Sequence, residues 1–395
     1  MKYNFDEKVN RWGSGCYKWD SMPSEDVIPM WVADMDFRVA QPIIDAINRR
    51  VEHGVFGYTR VPEKYYDSVI NWFSRRHNWK IEREWMMYTT GVVPALSAIV
   101  KAMTKPGDRV VVQTPVYNCF FSSIRNNGCE VSEAPLRRIP VEGNKGVFTF
   151  EMDFDALERA CSYDKAKLFI LCNPHNPAGR VWKREELERL NDICQCNGVR
   201  VVADEIHCEL VMSGYEYIPF ASISSKCLNN SITCCSPSKS FNTAGLQTSN
   251  IICNDEATRQ LIDRAINDNE ICDVNPFGVE AVMAAYNESE DWLDQLNDYI
   301  GGNYKALLQF VSEEMPQLSV SLLEGTYLVW VDITSTGKTS DQLTDELLNK
   351  GKVMVNSGTM YGDKTGEGYI RLNLACPRSQ MMEGLKRISK VINNK

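Results

Sequence analysis

Residues 183–204 read K-R-E-E-L-E-R-L-N-D-I-C-Q-C-N-G-V-R-V-V-A-D. Leu187, Leu190, Ile193 and Cys194 recur at helical spacing with charges between them, which predicts an amphipathic helix over Lys183–Cys196. Gly198 is a natural stop just past its end. Val199–Ala203 is short, β-branched and apolar on both faces, the text of a strand covered on both sides. Four more short runs share that character: Arg109–Gln113, Lys167–Cys172, Ser231–Cys235 and Thr248–Cys253. Strands separated by helices predict an α/β domain with a mostly parallel sheet.

The last third changes pattern. Asp291–Met315 reads as one long helix closed by Pro316. Strand-like Leu318–Leu323 and Tyr327–Ile333 follow, then a helix around Ser340–Lys350 and a strand at Gly368–Leu374. This predicts a smaller α+β domain. The whole chain has 395 residues and a mass of 44.9 kDa. That is too long for one modest core, so two packed domains are expected.

Composition narrows the partners. Lys plus Arg is 43 against 52 for Asp plus Glu, a net charge of −9. Phosphate contacts need clustered cations, so neither nucleic acid nor an anionic membrane is an expected partner. No apolar run approaches the roughly 18 residues of a membrane span. The stretch Met1–Asn10 is polar, without an apolar signal core, so a cytoplasmic location is expected. The 14 cysteines include no C-x-x-C pair, and many sit in apolar strand text such as Cys172, Cys234 and Cys253. They read as reduced, buried small hydrophobes. With four histidines, no metal centre is expected.

In open α/β sheets, ligands bind beyond the carboxyl ends of the strands. The text there is polar and specific: T-P-V-Y (Thr114–Tyr117), N-P-H-N-P-A-G (Asn173–Gly179), D-E-I-H (Asp204–His207) and S-P-S-K-S-F-N (Ser236–Asn242). An isolated lysine is usually a solvated charge. Lys239, however, follows an apolar strand and is flanked by Ser236, Ser238 and Ser240. Small hydroxyls beside a lysine can hold a phosphate while the amine forms a Schiff base. Asp204 ends a buried strand, where a capping role is the plain reading and a partner for a pyridinium nitrogen the sharper one. His207 and Asn176 could donate to a ring oxygen. Gly91, Val92 and Val93 in T-G-V-V-P-A offer backbone N–H groups at a helix start, a phosphate cradle. Tyr117 offers a flat face for stacking. Arg371 in Y-I-R-L-N-L-A is a charge in apolar strand text, suited either to an internal salt bridge or to a bidentate grip on a substrate carboxylate.

Taken in order, these motifs resemble a fold-type-I enzyme dependent on pyridoxal 5′-phosphate (PLP), of the class I/II aminotransferase superfamily. P-M-W-V-A-D-M-D-F (Pro29–Phe37) and F-G-Y-T (Phe56–Thr59) resemble its cystathionine β-lyase-like C–S lyase branch, the MalY/PatB group. The resemblance implies an aspartate aminotransferase-type fold. Its large PLP-binding domain would span residues 46–285, and its small domain would combine 1–45 with 286–395. Lys239 becomes the Schiff-base lysine and proton shuttle, Asp204 the partner of the pyridine nitrogen, and Tyr117 the stacking member of the catalytic set. Asn176 and His207 reach the ring oxygen. Ser236, Ser238 and the backbone of Gly91–Val93 hold the phosphate, completed by Tyr58 from the second subunit of a homodimer. Arg371, with Asn176 and the backbone near Ala33, binds the α-carboxylate.

One departure weighs between activities. Aminotransferases of this superfamily commonly carry a phosphate-binding Arg eight residues after the lysine, where this chain has Gln247. The favoured expectation is α,β-elimination of L-cystathionine or cysteine S-conjugates, an activity of amino-acid metabolism. The alternatives are a class I/II aminotransferase, and a regulatory binding protein that retains the pocket.

Overall fold

The computed structural model describes residues 3–270 and 272–393; Met1 and Lys2, the start of the polar stretch read above, lie outside them. The decisive stretch folds as its pattern predicts, with a helix at Arg184–Cys196 and a strand at Arg200–Asp204. The helix opens on a capping interaction, the Lys183 N–H donating to Glu186 Oε2 at 2.8 Å. It ends before Gly198, which takes φ +67°, a conformation glycine adopts without a Cβ clash.

The strand then sends alternate side chains to opposite faces. Val201 and Ala203 join Leu187, Leu190, Cys194 and Trp182 in one apolar cluster. Val202 joins Ile170, Ile232 and Ile251 on the other face, under Leu96 and Ile99 of the helix Val92–Met103. Each Val, Leu or Ile among them contributes about 1.5–3 kcal/mol by leaving water. Both faces are therefore dry, which is why the strand text shows no polar alternation.

Seven strands form the central sheet, in the order Met86–Thr89, Ser249–Ile252, Ser231–Cys235, Arg200–Asp204, Ala166–Cys172, Arg109–Val112, Glu130–Glu133. Ser249–Ile252 runs antiparallel to both neighbours, and the remaining pairings are parallel. The loops that leave Thr89, Val112, Cys172, Asp204 and Cys235, and the loop that enters Ser249, thus share one sheet edge.

A second sheet of six strands runs Asn356–Ser357, Tyr369–Asn373, Leu328–Asp332, Ser319–Ser321, Val147–Glu151, Arg137–Pro140. Its last two strands form a hairpin from the middle of the chain, with Val147 and Phe148 pairing in parallel with Val320 and Ser321. That hairpin was not expected, because its alternation is short and charged at Arg137 and Arg138. The long helix runs Glu290–Glu314. The element expected at 340–350 is α-helical over Ser340–Glu346 and widens into a π turn at Leu347–Gly351. Here the helix Arg378–Ile392 packs so close that a Cβ on Gly351 would lie 3.0 Å from Val391 Cγ2.

Candidate active site

At the shared sheet edge lies a cavity of about 260 Å³. Lys239 enters it from the turn after Ser231–Cys235, and its Nζ donates to the carbonyl of Ala33 at 2.7 Å. Burial lowers the affinity of this amine for its proton and Arg371 adds to the effect, while Asp34 and Asp204 oppose it. A lowered proton affinity is the direction that a nucleophile and base requires.

Asp204 is 3% exposed at the last position of its strand. Its Oδ1 accepts the Ile206 N–H at 3.1 Å, and no salt bridge reaches it among the described residues. Burial pushes its carboxyl up to about 7, against the pull of Ile206 and of Lys239. A buried carboxylate in the cavity wall with no ion-pair partner fits a protonated ring nitrogen, which would hold it ionised. His207 is buried with Nδ1 unpartnered, and burial beside Lys239 and Arg371 keeps the imidazole neutral.

Asn176 is also buried in the wall. Its Oδ1 accepts from Arg371 Nη1 at 3.2 Å. Arginine can only donate, so this contact fixes the amide with its NH₂ left for an acceptor in the cavity. Arg371, 3% exposed, also donates from Nη2 to the carbonyl of Trp31 at 2.7 Å and lies 4.8 Å from the Tyr361 ring. Its Nε has no partner, and no carboxylate lies within salt-bridge distance among the described residues. Of the two readings offered by the sequence, an internal salt bridge is absent; an arginine buried without an anion fits a carboxylate supplied from outside.

Gly91, Val92 and Val93 also line the cavity, where the helix Val92–Met103 begins. Its first N–H groups have no intrahelical acceptor and favour an anion there. Ser238, Tyr117 and Ala33 also line the cavity. Ser236 stands behind it: its hydroxyl donates to Thr248 O at 2.6 Å and accepts the Ser238 N–H at 3.1 Å. It shapes the turn that presents Ser238, and its proton is already committed. Gln247 lines the cavity at φ +48° and is exposed. Tyr58 is fully exposed, outside the cavity of its own chain.

Several contributors carry no role in the sequence motifs. Thr90 and Thr248 also line the cavity. Tyr327 donates its hydroxyl to Ala33 O at 2.9 Å, beside Lys239. Asp34 and Asp36 were quoted only as part of a motif, although two carboxylates in apolar text signal fixed cationic partners. Among the described residues no group of three or more His, Cys, Asp or Glu converges to hold a metal ion.

A sheet with catalytic loops at one edge, a lysine opposite a buried aspartate and an anion cradle at a helix start define the class. The profile of the class I and II aminotransferases matches residues 25–388, and the chain belongs to that family. Cystathionine β-lyase PatB of Bacillus subtilis (strain 168) is 41% identical over 99% of this chain and 100% of its own. Among solved structures, cystalysin from Treponema denticola, which contains a pyridoxal 5′-phosphate cofactor, matches with a TM-score of 0.94 at 34% identity, each chain covered in full. A PLP-bound protein from Clostridium difficile 630, named after the aminotransferases, gives a TM-score of 0.94 at 42% identity over 99% of this chain and 100% of that one. The fold is fold type I of the PLP-dependent enzymes.

Proposed function

We propose that the chain is a PLP-dependent C–S β-lyase, converting L-cystathionine or related cysteine S-conjugates and water to a thiol, pyruvate and ammonia. The enzyme takes pyridoxal 5′-phosphate as its cofactor, in keeping with its family and with the cofactor in its structural relatives. One observation carries the reading: Lys239 and an unpaired, buried Asp204 line a single cavity, and Arg371 stands buried beside it without an anion.

When bound, the cofactor supplies an electron sink for the charge that develops at the substrate Cα. Lys239 would be its anchoring amine and the base that takes the Cα proton. Asp204 holds the proton on the ring nitrogen, and Asn176 and His207 donate toward the ring oxygen. The N–H groups of Val92 and Val93 and the hydroxyl of Ser238 receive the phosphate, Tyr117 covers the ring, and Arg371 grips the α-carboxylate. Together these contacts would bring the substrate Cα hydrogen within reach of Lys239, and removal of that proton leaves the electron pair that expels the thiolate from Cβ.

Gln247 is an exposed part of the cavity lining, and Tyr58 stands with Phe56 and Val55 on an exposed segment without regular structure. A homodimer in which that segment reaches the partner's phosphate site accounts for both features. The division into residues 46–285 and the combination of 1–45 with 286–395 fits the two sheets, apart from the hairpin at 137–151 that joins the second. Fourteen unpaired cysteines suit a reducing, cytoplasmic setting.

The test is to supply purified protein, loaded with the cofactor, with L-cystathionine and no keto acid. Pyruvate and free thiol in equal amounts are expected. Amino transfer that begins only when a keto acid is added would make the protein an aminotransferase. Cofactor binding without turnover of either kind would favour a binding protein.

A further inference from the structure

The segment that carries Trp31 and Ala33 across the cavity has little regular structure of its own after the two-residue strand Ile28–Pro29. It is held by side chains. Asn373 Nδ2 donates to Val32 O at 2.6 Å and to Asp34 O at 2.7 Å. Asn242 brackets Met35, accepting its N–H at 3.0 Å and donating to its carbonyl at 3.0 Å. Fixed this way, the segment presents Trp31 O to Arg371 and Ala33 O to Lys239, each at 2.7 Å.

A second set of contacts reaches it from the N-terminal residues. Arg11 meets Asp34 at 2.7 Å and Asp36 at 2.7 Å. Lys18, 1% exposed, meets Asp36 at 3.0 Å and Asp34 at 3.4 Å. Asp36, 2% exposed, also accepts from Trp19 Nε1 at 2.9 Å and Gln380 Nε2 at 2.9 Å. Two cations and two carboxylates form a neutral, largely dry set. A lysine enclosed in this way exacts a desolvation cost that only close, well-aimed carboxylates offset. Arg11 Nη1 also donates to Met35 O at 3.0 Å and Lys18 Nζ to Asp34 O at 3.4 Å, so the set holds the backbone directly after Ala33.

We propose that Arg11 and Lys18 are positioning residues of the active site: clamped on Asp34 and Asp36, they set the register in which Ala33 O faces Lys239 and Trp31 O aims Arg371 at the substrate carboxylate. Neither Arg11 nor Lys18 lines the cavity. Their effect passes through two carbonyl oxygens. The role of Arg371 in this proposal rests on the lyase reading above, and more narrowly on its grip on an α-carboxylate.

The experiment uses cofactor-loaded wild-type protein and the variants Arg11→Met, Arg11→Lys and Asp34→Asn. Affinity for L-alanine, which has the carboxylate and no leaving group at Cβ, is read by absorbance titration. Amide hydrogen exchange over residues 31–37 is read in the same proteins and in cofactor-free protein. A misplaced carbonyl pair should weaken L-alanine binding about tenfold in Arg11→Met. Exchange at 31–37 should rise both with and without cofactor, and Arg11→Lys should recover part of each. If Arg11→Met does not fold, the near-isosteric Asp34→Asn, at a partly exposed position, carries the same test. Unchanged L-alanine affinity and unchanged exchange, even with a lowered melting temperature, would make the cluster a brace of the fold only and overturn the proposal. Wild-type failure to cleave L-cystathionine counts against the lyase reading alone, because the L-alanine titration needs no elimination.

Discussion

Arg371 Nη1 donates to Asn176 Oδ1 across 3.2 Å, joining the middle of a strand in the second sheet to a loop of the first. One contact thus orients two groups, an arginine left with an unpartnered Nε and an amide left with its NH₂. Replacing Arg371 by Ala should remove the carboxylate grip and free Asn176 to rotate. A charge-assisted interaction of about 1.5–3 kcal/mol corresponds to a fall of about 10- to 100-fold in kcat/KM, mostly through KM. Arg371→Lys should recover little, because a lysine cannot reproduce the planar fork. Steady-state kinetics with L-cystathionine check both.

Lys239→Ala should abolish the absorbance of the lysine-bound cofactor and lower turnover by more than about 10³-fold, because anchor and base are lost together. A variant that keeps both colour and pyruvate release would refute the assignment of Lys239.

The carboxyl of Asp204 gives a pH signature in cofactor-free protein. Its folded value, about 7, lies above the ordinary 3.8. The folded state therefore binds more protons than the unfolded state between those values. Stability from this group is present below about pH 4 and is lost as pH rises through about 7. Asp204→Asn should remove that loss, so the variant gains in melting temperature over wild type at pH 8 but not at pH 4. Glu205, pushed up to about 7 by burial as well, is common to both proteins and cancels. Loading the cofactor should reverse the ranking, since a cationic ring favours the ionised carboxylate.

Tyr58, fully exposed in its own chain, can be tested by subunit mixing. Lys239→Ala and Tyr58→Ala homodimers should each be impaired. In a mixed dimer one site carries both substitutions and the other carries neither. Random mixing of isologous dimers should then restore about a quarter of wild-type activity. No recovery on mixing would place Tyr58 outside the partner's site.

The parts of the fold that were legible are those in which local pattern and burial agree. Leu187, Leu190 and Cys194 mark one helix face, Val201–Ala203 a strand dry on both sides, and these placed Asp204 at a sheet edge. The hairpin at 137–151 was not legible. Arg137 and Arg138 face solvent on an edge strand, and its pairing partner, Ser319–Ser321, lies far along the chain. Within the site, Lys239, Asp204, His207 and Asn176 were legible because each lies at or just after a strand end. Ser236 was legible as a neighbour of the lysine, whereas its commitment to Thr248 O depends on a turn that packs against Ser249–Ile252.

Sequence alone determined the periodicities, the order of strand ends and the residue types at them, because side-chain period and strand-end chemistry are local properties. Only the tertiary structure decided which distant groups meet. It left Arg371 without a carboxylate, committed the Ser236 proton and set Ala33 O against Lys239. It also gathered Arg11, Lys18, Asp34 and Asp36 into one buried set. Such contacts are fixed by the packing of the two sheets and the N-terminal segment, and the energies that select them arise only once water has been excluded from between them.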